Sequence, residues 1–259
     1  GAAIIRTQDK EVFVPVHPDI GSWRFEYKYR LHPGQYHRVR AAIRPFMKAD
    51  AYTRGAPGGR YLVRSLYYDS ADFRSYREKV SGDCDRTKLR IRTYSRSLRE
   101  DPDIRVEMKA RKSMSMEKHS TFISPAEYER FIRSGRWPGA DDPLLVEFER
   151  YVRLKTLMPL ILVEYRREGF SARAQQGLRI TFDHGVQSAR AVSLFPPAPI
   201  FRAHHRGVVI LEIKCNKSQP HWLRQMVWDH GLRVAANSKF TQGIEISRPE
   251  LVHPAWSYT

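Results

Sequence analysis

Cysteine is the scarcest chemically reactive residue in this chain, with only Cys84 and Cys215 among 259 residues. Two cysteines cannot build a disulfide framework or a cysteine-rich zinc site, which favours a reducing compartment. Long apolar runs are also missing: the longest, Leu157 to Val163, contains Pro159 and is far shorter than the ~20 residues of a membrane-spanning helix. We therefore expect a cytoplasmic protein that is not integral to a membrane.

Negative charge is in short supply as well. The chain has 28 Asp and Glu against 45 Lys and Arg, a formal net charge of +17. A field of this sign concentrates anions around a protein. The basic residues are spread along the chain rather than gathered in a terminal arm, which indicates charges carried on ordered elements. The expected partner is polyanionic: nucleic acid, anionic lipid, or a phosphate-rich small molecule or polymer.

Apolar and aromatic residues, at 41% and 12%, suffice for one core. Alternation of apolar and charged residues predicts eight or nine strands. The eight are Trp23 to Leu31, Tyr61 to Tyr68, Thr87 to Tyr94, Ile104 to Arg111, Ser115 to Ile123, Leu160 to Phe170, Leu178 to His184 and Val208 to Lys214, and the ninth is Gly243 to Ser247. Four helices are predicted between them, at Gly34 to Met47, from the cap Ser124 to Ser134, at Pro143 to Leu157 and at Pro220 to His230. Residues 187–207, rich in proline, are predicted to form a loop.

Charged residues two positions apart recur in six of the predicted strands, and residues i and i+2 share one face of a strand. The sets are Glu26 and Lys28, Arg90 and Arg92, Glu107 and Lys109, Glu164 and Arg166, Arg179 with Thr181 and Asp183, and Glu212 and Lys214. Apolar residues alternate with each set. Every one of these strands is therefore amphipathic.

A single strand of this kind is typical of a sheet whose charged face meets water. Six of them, together with helices that need a surface to cover, favour a barrel with its apolar side outward beneath helices and its charged side around a lumen. Buried charges need partners, water or a ligand. Because bases outnumber acids on these strands, the lumen is expected to bind a ligand dense in negative charge, with carboxylates available for a divalent cation bridged to phosphate.

The ordered set of motifs resembles the polyphosphate polymerase domain of the vacuolar transporter chaperone (VTC) type, within the triphosphate tunnel metalloenzyme superfamily. The resembling stretches are Phe25 to Tyr29, Ser65 to Asp69, Lys88 to Arg92, Val106 to Lys109, Glu164 to Arg167, Leu178 to Asp183, Leu211 to Lys214 and Ser238 to Phe240. The resemblance divides the chain into an N-terminal extension (1–21), a catalytic domain (22–248) and a C-terminal tail (249–259). It implies an α+β fold, a mainly antiparallel barrel of about eight strands with a charged lumen and helices packed outside.

The resemblance also implies roles for individual residues. The phosphate-gripping catalytic residues would be Lys28, Arg90, Arg92, Lys109, Arg166, Arg179, Lys214 and Lys239, with Lys118 as a further substrate-binding candidate. Mn²⁺ or Mg²⁺ would be held by Glu212, with Glu107 and Glu164 as the other carboxylates. The chain departs from the family pattern at Ala236, where members often carry a second lysine.

The activity implied is transfer of the γ-phosphate of ATP to a growing inorganic polyphosphate chain, with a membrane protein as a conceivable partner for product export. Two alternatives remain open. One is a triphosphatase acting on inorganic, thiamine or RNA triphosphate, in which Glu107 or Glu164 would orient water. The other is a non-catalytic polyanion-binding module; nucleic acid is disfavoured, because the aromatic residues beside Lys28 alternate with it and face away from the lumen. The oligomeric state is left open.

Overall fold

The computed structural model describes residues 3–7, 10–14, 25–112, 115–137, 139, 141–174, 177–216 and 218–251. Side chains are described for these ranges except at 3–14 and 112–116. Strands β1 (Ala3–Thr7) and β2 (Lys10–Val14) form a separate two-stranded sheet inside the predicted N-terminal extension. The rest of that extension, the first residues of the predicted catalytic domain (22–24) and residues 252–259 of the predicted tail lie outside the described residues. The domain boundaries stay a prediction.

One ten-stranded antiparallel sheet forms the body of the protein. Its strands are β3 (Phe25–Leu31), β4 (Met47–Ala49), β5 (Tyr61–Ser70), β6 (Arg86–Thr93), β7 (Ile104–Lys112), β8 (Ser115–Ile123), β9 (Leu157–Ala172), β10 (Leu178–Arg190), β11 (Arg202–Ala203) and β12 (Val209–Cys215). Their order is β3-β12-β10-β9-β5-β6-β7-β8, with β4 beside β9 and β11 beside β10. The antiparallel α+β prediction is confirmed. The prediction of a closed barrel is not met, because edge strands β3 and β8 share no hydrogen-bonded ladder within the described residues. The sheet is curved and open.

Seven α-helices accompany the sheet in the described part of the chain. They are α1 (Pro33–Ile43), α2 (Ala51–Gly55), α3 (Arg74–Val80), α4 (Pro125–Ser134), α5 (Pro143–Leu154), α6 (His221–Asp229) and α7 (Lys239–Ser247). Helix α4 begins at the predicted capping box, where the backbone N–H groups of Ser124 and Glu127 donate to each other's side chains. Among the described residues, no helix is long and apolar enough to cross a membrane.

The convex face of the sheet carries the apolar residues that alternate with the charged sets. Helices α4 and α5 cover one half, where Phe148 packs with Leu89 and Ile91 of β6. Helices α1 and α6 cover the other half, where Ile43 packs with Phe182 of β10. For these strands, the predicted outward orientation of the apolar side chains is observed.

Helix α7 departs from two expectations. Residues 243–247, predicted as a possible strand, belong to this helix, and its apolar side chains Phe240 and Ile244 pack against Val63 and Ile161 on the concave face of the sheet rather than outside it. A Cβ on Gly243 would lie 2.8 Å from the Ile161 side chain. Glycine at this position therefore lets the helix approach the inner surface closely.

Two hydrogen bonds at Gly169 join helix α2 to β9. The Asp50 N–H donates to the Gly169 carbonyl at 2.8 Å, and the Gly169 N–H donates to the Thr53 hydroxyl at 2.7 Å. A Cβ on Gly169 would come within 2.0 Å of the Asp50 carboxylate. The absence of a side chain at this position is what allows α2 to lie against the sheet.

A buried carboxylate joins α1 to β9 and β10. Glu168 accepts hydrogen bonds from the Tyr36 hydroxyl at 2.5 Å and from the Arg40 and Arg60 Nε atoms at 2.6 and 3.1 Å, and it lies 2.8 Å from His184 Nε2. Burial acts to raise the pKa of Glu168, but the bonds from His184, Tyr36 and Arg40 lower it to about 2. Charged Glu168 thus stabilises the fold.

Replacing Glu168 with Gln should destabilise the protein by about 3 kcal/mol at pH 7, because a buried charge network loses its only anion. The folded-state pKa of Glu168 lies below its ordinary value of 4.5. Its stabilisation is therefore present above pH 4.5 and is lost as pH falls toward 2. Urea unfolding at pH 7 and pH 3 should show a smaller pH dependence in Glu168→Gln than in the parent protein.

The matched control is Glu147→Gln, which removes an exposed carboxylate paired with Arg150. Exposed pairs contribute little to stability, so its unfolding midpoint should stay close to that of the parent. Equal midpoints for the Glu168 and Glu147 variants would contradict the role assigned to Glu168.

Candidate functional site

The concave face of the sheet encloses a cavity of about 620 Å³. Three carboxylates line it, Glu26, Glu107 and Glu212. The basic residues along its wall number fourteen and are Lys28, Lys79, Arg86, Lys88, Arg90, Arg92, Arg105, Lys109, Arg111, Lys118, Arg167, Arg179, Lys214 and Lys239. A charged lumen, the central expectation from the sequence, is therefore present.

Ten of the predicted site residues lie on this wall, and their roles remain predictions. They are Lys28, Arg90, Arg92, Lys109, Lys118, Arg179, Lys214 and Lys239 among the bases and Glu107 and Glu212 among the acids. The basic residues Lys79, Arg86, Lys88, Arg105, Arg111 and Arg167 line the cavity too, without having been predicted. Several of them belong to the same alternating series on β6 and β7, so extending the pattern along those strands would have found them.

The predicted lumen positions of Glu164 and Arg166 are wrong. On β9 the side chains of Tyr165 and Arg167 line the cavity, so Glu164 and Arg166 face the other side of the sheet. Arg166 is exposed, and Glu164 is buried beside Arg64 and Arg96, at 3.0 and 2.5 Å. The first half of β9 is apolar on both faces, because helices cover both. The alternation of apolar and charged residues therefore does not show which β9 side chains face the lumen.

Arg167 and Asp183 form a buried ion pair with two hydrogen bonds at the cavity wall. The Arg167 guanidinium donates two bonds, Nε to Oδ1 at 2.6 Å and Nη2 to Oδ2 at 2.8 Å, and Lys239 Nζ lies 2.6 Å from Oδ2. Burial acts to raise the pKa of Asp183, but Arg167 and Lys239 lower it. The Asp183 carboxylate therefore holds Arg167 of β9 and Lys239 of α7 in fixed positions at the cavity wall.

Strands β3 and β12 present a square of alternating charge. Their register pairs Lys28 with Glu212 and Glu26 with Lys214. Lys28 Nζ lies 2.8 Å from Glu26, and Lys214 Nζ lies 3.2 Å from Glu212 and 4.0 Å from Glu26. Burial acts to lower the pKa of Lys28, but Glu212 and Glu26 raise it. Lys28 therefore stays charged.

Glu26 and Glu212 are the carboxylates best placed to bind a metal ion, since they contact the same ammonium group. Among the described residues, no group of three or more His, Cys, Asp or Glu side chains is arranged to hold a metal. A cation at this position would need further ligands from phosphate oxygens or water. Two carboxylates plus phosphate suit an oxygen-seeking ion such as Mg²⁺ rather than zinc.

Glu107 is the single acid of the β6 and β7 wall. It forms a close ion pair with Arg90, and its Oε1 lies 4.0 Å from Arg92 Nη1 and 3.8 Å from Lys118 Nζ. Burial acts to raise the pKa of Glu107, but Arg90, Arg92 and Lys118 lower it. One carboxylate is thus shared by three cations, which leaves an excess of positive charge here.

Three lysines at one end of the cavity form no close ion pair with a carboxylate of the described residues, although Glu26 acts on Lys109 from a longer distance. No carboxylate of the described residues lies within 4.0 Å of the ammonium groups of Lys79, Lys88 and Lys109. Lys88 Nζ lies 3.5 Å from the Ser238 hydroxyl and 4.9 Å from the centre of the Phe240 ring. Burial, Lys79 and Arg86 lower its pKa to about 7. We call this part of the cavity the lysine end.

Cations brought together from several strands can bind several phosphate groups at once and neutralise charge that spreads over phosphoryl oxygens. Phosphoryl transfer needs alignment and charge neutralisation more than covalent help from the protein. The side chains of the lumen can supply alignment and charge neutralisation. Their chemistry is that of a phosphate-handling site.

Two solved structures are similar to this chain, and the first of them supports the fold. A Bacillus halodurans protein assigned provisionally as an adenylate cyclase aligns with a TM-score of 0.51 and 14% identity, over 82% of this chain and 92% of the other. The PH1819 protein of Pyrococcus horikoshii aligns with a TM-score of 0.45 and 13% identity, over 86% of this chain and 99% of the other. No curated protein matches the sequence.

Comparison with protein families is more specific. The sequence profile of the VTC domain matches residues 23–248, nearly the whole chain and all of the strands that build the lumen. The match agrees with a tunnel-type fold. The chain belongs to the VTC domain family.

Proposed function

We propose that this protein is a polyphosphate polymerase, which transfers the γ-phosphate of ATP to the end of a growing inorganic polyphosphate chain in its lumen. The observation that carries the proposal is the wall of fourteen basic residues set against three carboxylates. A terminal phosphate oxygen of the chain would form the new P–O bond, and the bond between the β–γ bridging oxygen and the γ-phosphorus would break, releasing ADP. The lumen cations would neutralise the spreading charge.

A divalent cation, Mn²⁺ or Mg²⁺, belongs to the proposal. Glu212 and Glu26 would hold it together with phosphate oxygens, and bound there it would neutralise charge on the transferring group. The protein's own side chains do the rest: Arg90, Arg92 and Lys109 hold the phosphates in line. No side chain needs to act as a nucleophile.

The rival enzyme is a triphosphatase, in which water replaces the phosphate acceptor. Glu164 cannot orient that water, because it lies outside the lumen. Glu107 remains, but three neighbouring cations lower its pKa, and a carboxylate so stabilised is a weak base. This disfavours hydrolysis as the main activity.

Incubation of the purified protein with ATP and Mn²⁺ distinguishes the activities. The products are separated on a gel that resolves long polyphosphate and are assayed for orthophosphate. Long polymer is expected. Orthophosphate without polymer would overturn the proposal in favour of the hydrolase, and an absence of nucleotide turnover with salt-sensitive polyanion binding would indicate a binding module.

Replacing Lys109 with Met should reduce ATP turnover about tenfold or more, because a charge-assisted bond to phosphate is lost. No carboxylate of the described residues lies within 4.0 Å of Lys109, and Glu26, on which it acts from a longer distance, keeps its closer partners Lys28 and Lys214. Removal of Lys109 should therefore lower stability little. Turnover and thermal unfolding are measured together.

The control for this variant is Arg166→Met, which removes one positive charge from the outer face of β9. It changes the net charge equally but touches nothing in the lumen, so turnover should stay within about twofold of the parent. If Arg166→Met lowered turnover as much as Lys109→Met, net charge rather than position would be responsible.

The affinity for inorganic tripolyphosphate should fall as pH rises above about 7. Lys88 has a pKa of about 7 in the free protein, below the ordinary 10.5, because of burial and neighbouring cations. It is charged below pH 7 and neutral above it, and a bound anion favours the charged form. The charged groups that face it from neighbouring elements are Lys79 of α3, Arg86 of β6, Lys109 of β7 and Lys28 of β3.

The Lys88→Arg variant provides the test, because arginine stays charged across the range from pH 6 to 9. Binding to the parent should weaken by up to about tenfold per pH unit above pH 7 relative to Lys88→Arg. The comparison cancels the titration of tripolyphosphate itself. Parallel pH profiles for the two proteins would contradict the role assigned to Lys88.

A further inference from the structure

Lys88 is a half-buried amine at the lysine end that no adjacent acid neutralises. Its Nζ atom lies 3.5 Å from the hydroxyl of Ser238, which caps α7, and 4.9 Å from the centre of the Phe240 ring. No carboxylate of the described residues lies within 4.0 Å of this nitrogen. An amine in such surroundings gains little from carrying a proton.

Four cations act on Lys88 from the elements packed around it. They are Lys79 of α3, Arg86 of β6, Lys109 of β7 and Lys28 of β3. Burial and these like charges disfavour the ammonium form and lower the pKa of Lys88 from 10.5 to about 7. At neutral pH a large fraction of Lys88 is therefore an uncharged nucleophile, whereas an ordinary lysine is almost entirely protonated.

The cations that favour the neutral amine also attract anions to its side. Lysines that are desolvated or placed beside other cations are the amines that enzymes use for covalent chemistry. A cavity of about 620 Å³ leaves space for a small reagent next to Lys88. An electrophile that carries a phosphate group would therefore be held by the cations beside a nitrogen that is ready to react.

We propose that Lys88 is acylated by small acyl phosphates, so that the lysine end is a site of covalent modification. The phosphate would lie among Lys79, Arg86 and Lys109, and the acyl group beside the Phe240 ring. The neutral Nζ atom attacks the acyl carbon, and a C–N bond forms as the bond from that carbon to the phosphate oxygen breaks. The electron pair leaves with the phosphate. The proton lost by the nitrogen passes to it, giving an amide and hydrogen phosphate.

Acylation would remove one cation from the lumen, because an amide nitrogen is not protonated near neutral pH. The modified lysine end would hold polyanions less tightly than the unmodified one. The supply of acyl phosphate would thus control the affinity of the lumen. The reaction needs phosphate binding at this end of the cavity but neither ATP nor polymer synthesis, so it goes beyond the proposed function.

The test follows acetylation of individual lysines by acetyl phosphate at pH 7, using mass spectrometry of peptides. Lys155 is the matched control: its side chain is also half-buried and its Nζ atom lies 5.2 Å from the centre of the Tyr151 ring, but it does not line the cavity. Lys88 should react at least about tenfold faster than Lys155. Excess inorganic tripolyphosphate should slow the reaction of Lys88 about tenfold and leave that of Lys155 unchanged, because it occupies the cations.

Two further measurements examine the surroundings of the amine. At a low concentration of acetyl phosphate the rate reports the free protein, so acetylation of Lys88 should speed up with pH to about 7 and then level off. Lys79→Gln should slow this reaction about threefold or more, because it removes a cation that holds phosphate and disfavours the ammonium form. Acetylation of Lys155 should be unaffected by the substitution, and thermal unfolding shows whether the variant is folded.

Similar rates at Lys88 and Lys155 would overturn the modification site, as would a rate at Lys88 that tripolyphosphate does not reduce. A rate at Lys88 that continues to rise steeply to pH 9 would show that the amine is protonated at neutral pH and would also overturn it. Should Lys79→Gln fail to fold, the tripolyphosphate and pH measurements on the parent protein still decide. Polymer synthesis from ATP is tested separately by the gel assay, so the two proposals can fail independently.

Discussion

Repulsion among like charges on the concave face is the constraint around which this protein is organised. Fourteen cations share a cavity with three carboxylates, and burying charge without a partner is costly. The fold limits this cost by pairing each acid with several bases. Glu107, for example, lies beside Arg90, Arg92 and Lys118. The positive charge that the carboxylates do not neutralise gives the cavity an affinity for polyanions. A bound polyanion should therefore stabilise the folded state.

The same constraint explains why the apolar residues lie on the convex side. A sheet whose inner face is ionic needs its core elsewhere, and helices on the outer surface supply it, with Phe148 on one half and Ile43 on the other. Helix α7 is the exception, because it fills the apolar part of the inner face. It thereby places Lys239 beside Asp183, which no outer helix could do.

The sequence predicts the strands well wherever only one of their faces is buried in apolar surroundings. On β6 and β12 the charged and apolar residues alternate, so the lumen positions of Arg90, Arg92 and Glu212 can be read directly. On β9 both faces are covered, and two successive arginines do not show which of them faces the lumen. The sequence therefore predicts Arg166 in the lumen, where the structure places Arg167. Residues 243–247 have the alternating pattern of a strand, but they form part of helix α7 because Phe240 and Ile244 pack against the sheet. Partners across strands, such as Arg167 and Asp183, depend on register, which no local pattern contains.

A lumen that only attracted anions would retain them, and a polymer must advance after every transfer. Favourable binding has to be weak enough at each site to permit movement to the next. Acids built into the wall provide that moderation, because Glu26, Glu107 and Glu212 compete with phosphate for the same cations. Lys88, with a pKa of about 7, adds a cation whose charged form a bound anion would favour. Moderated binding along the wall fits the stepwise synthesis that we propose better than it fits a single hydrolytic event.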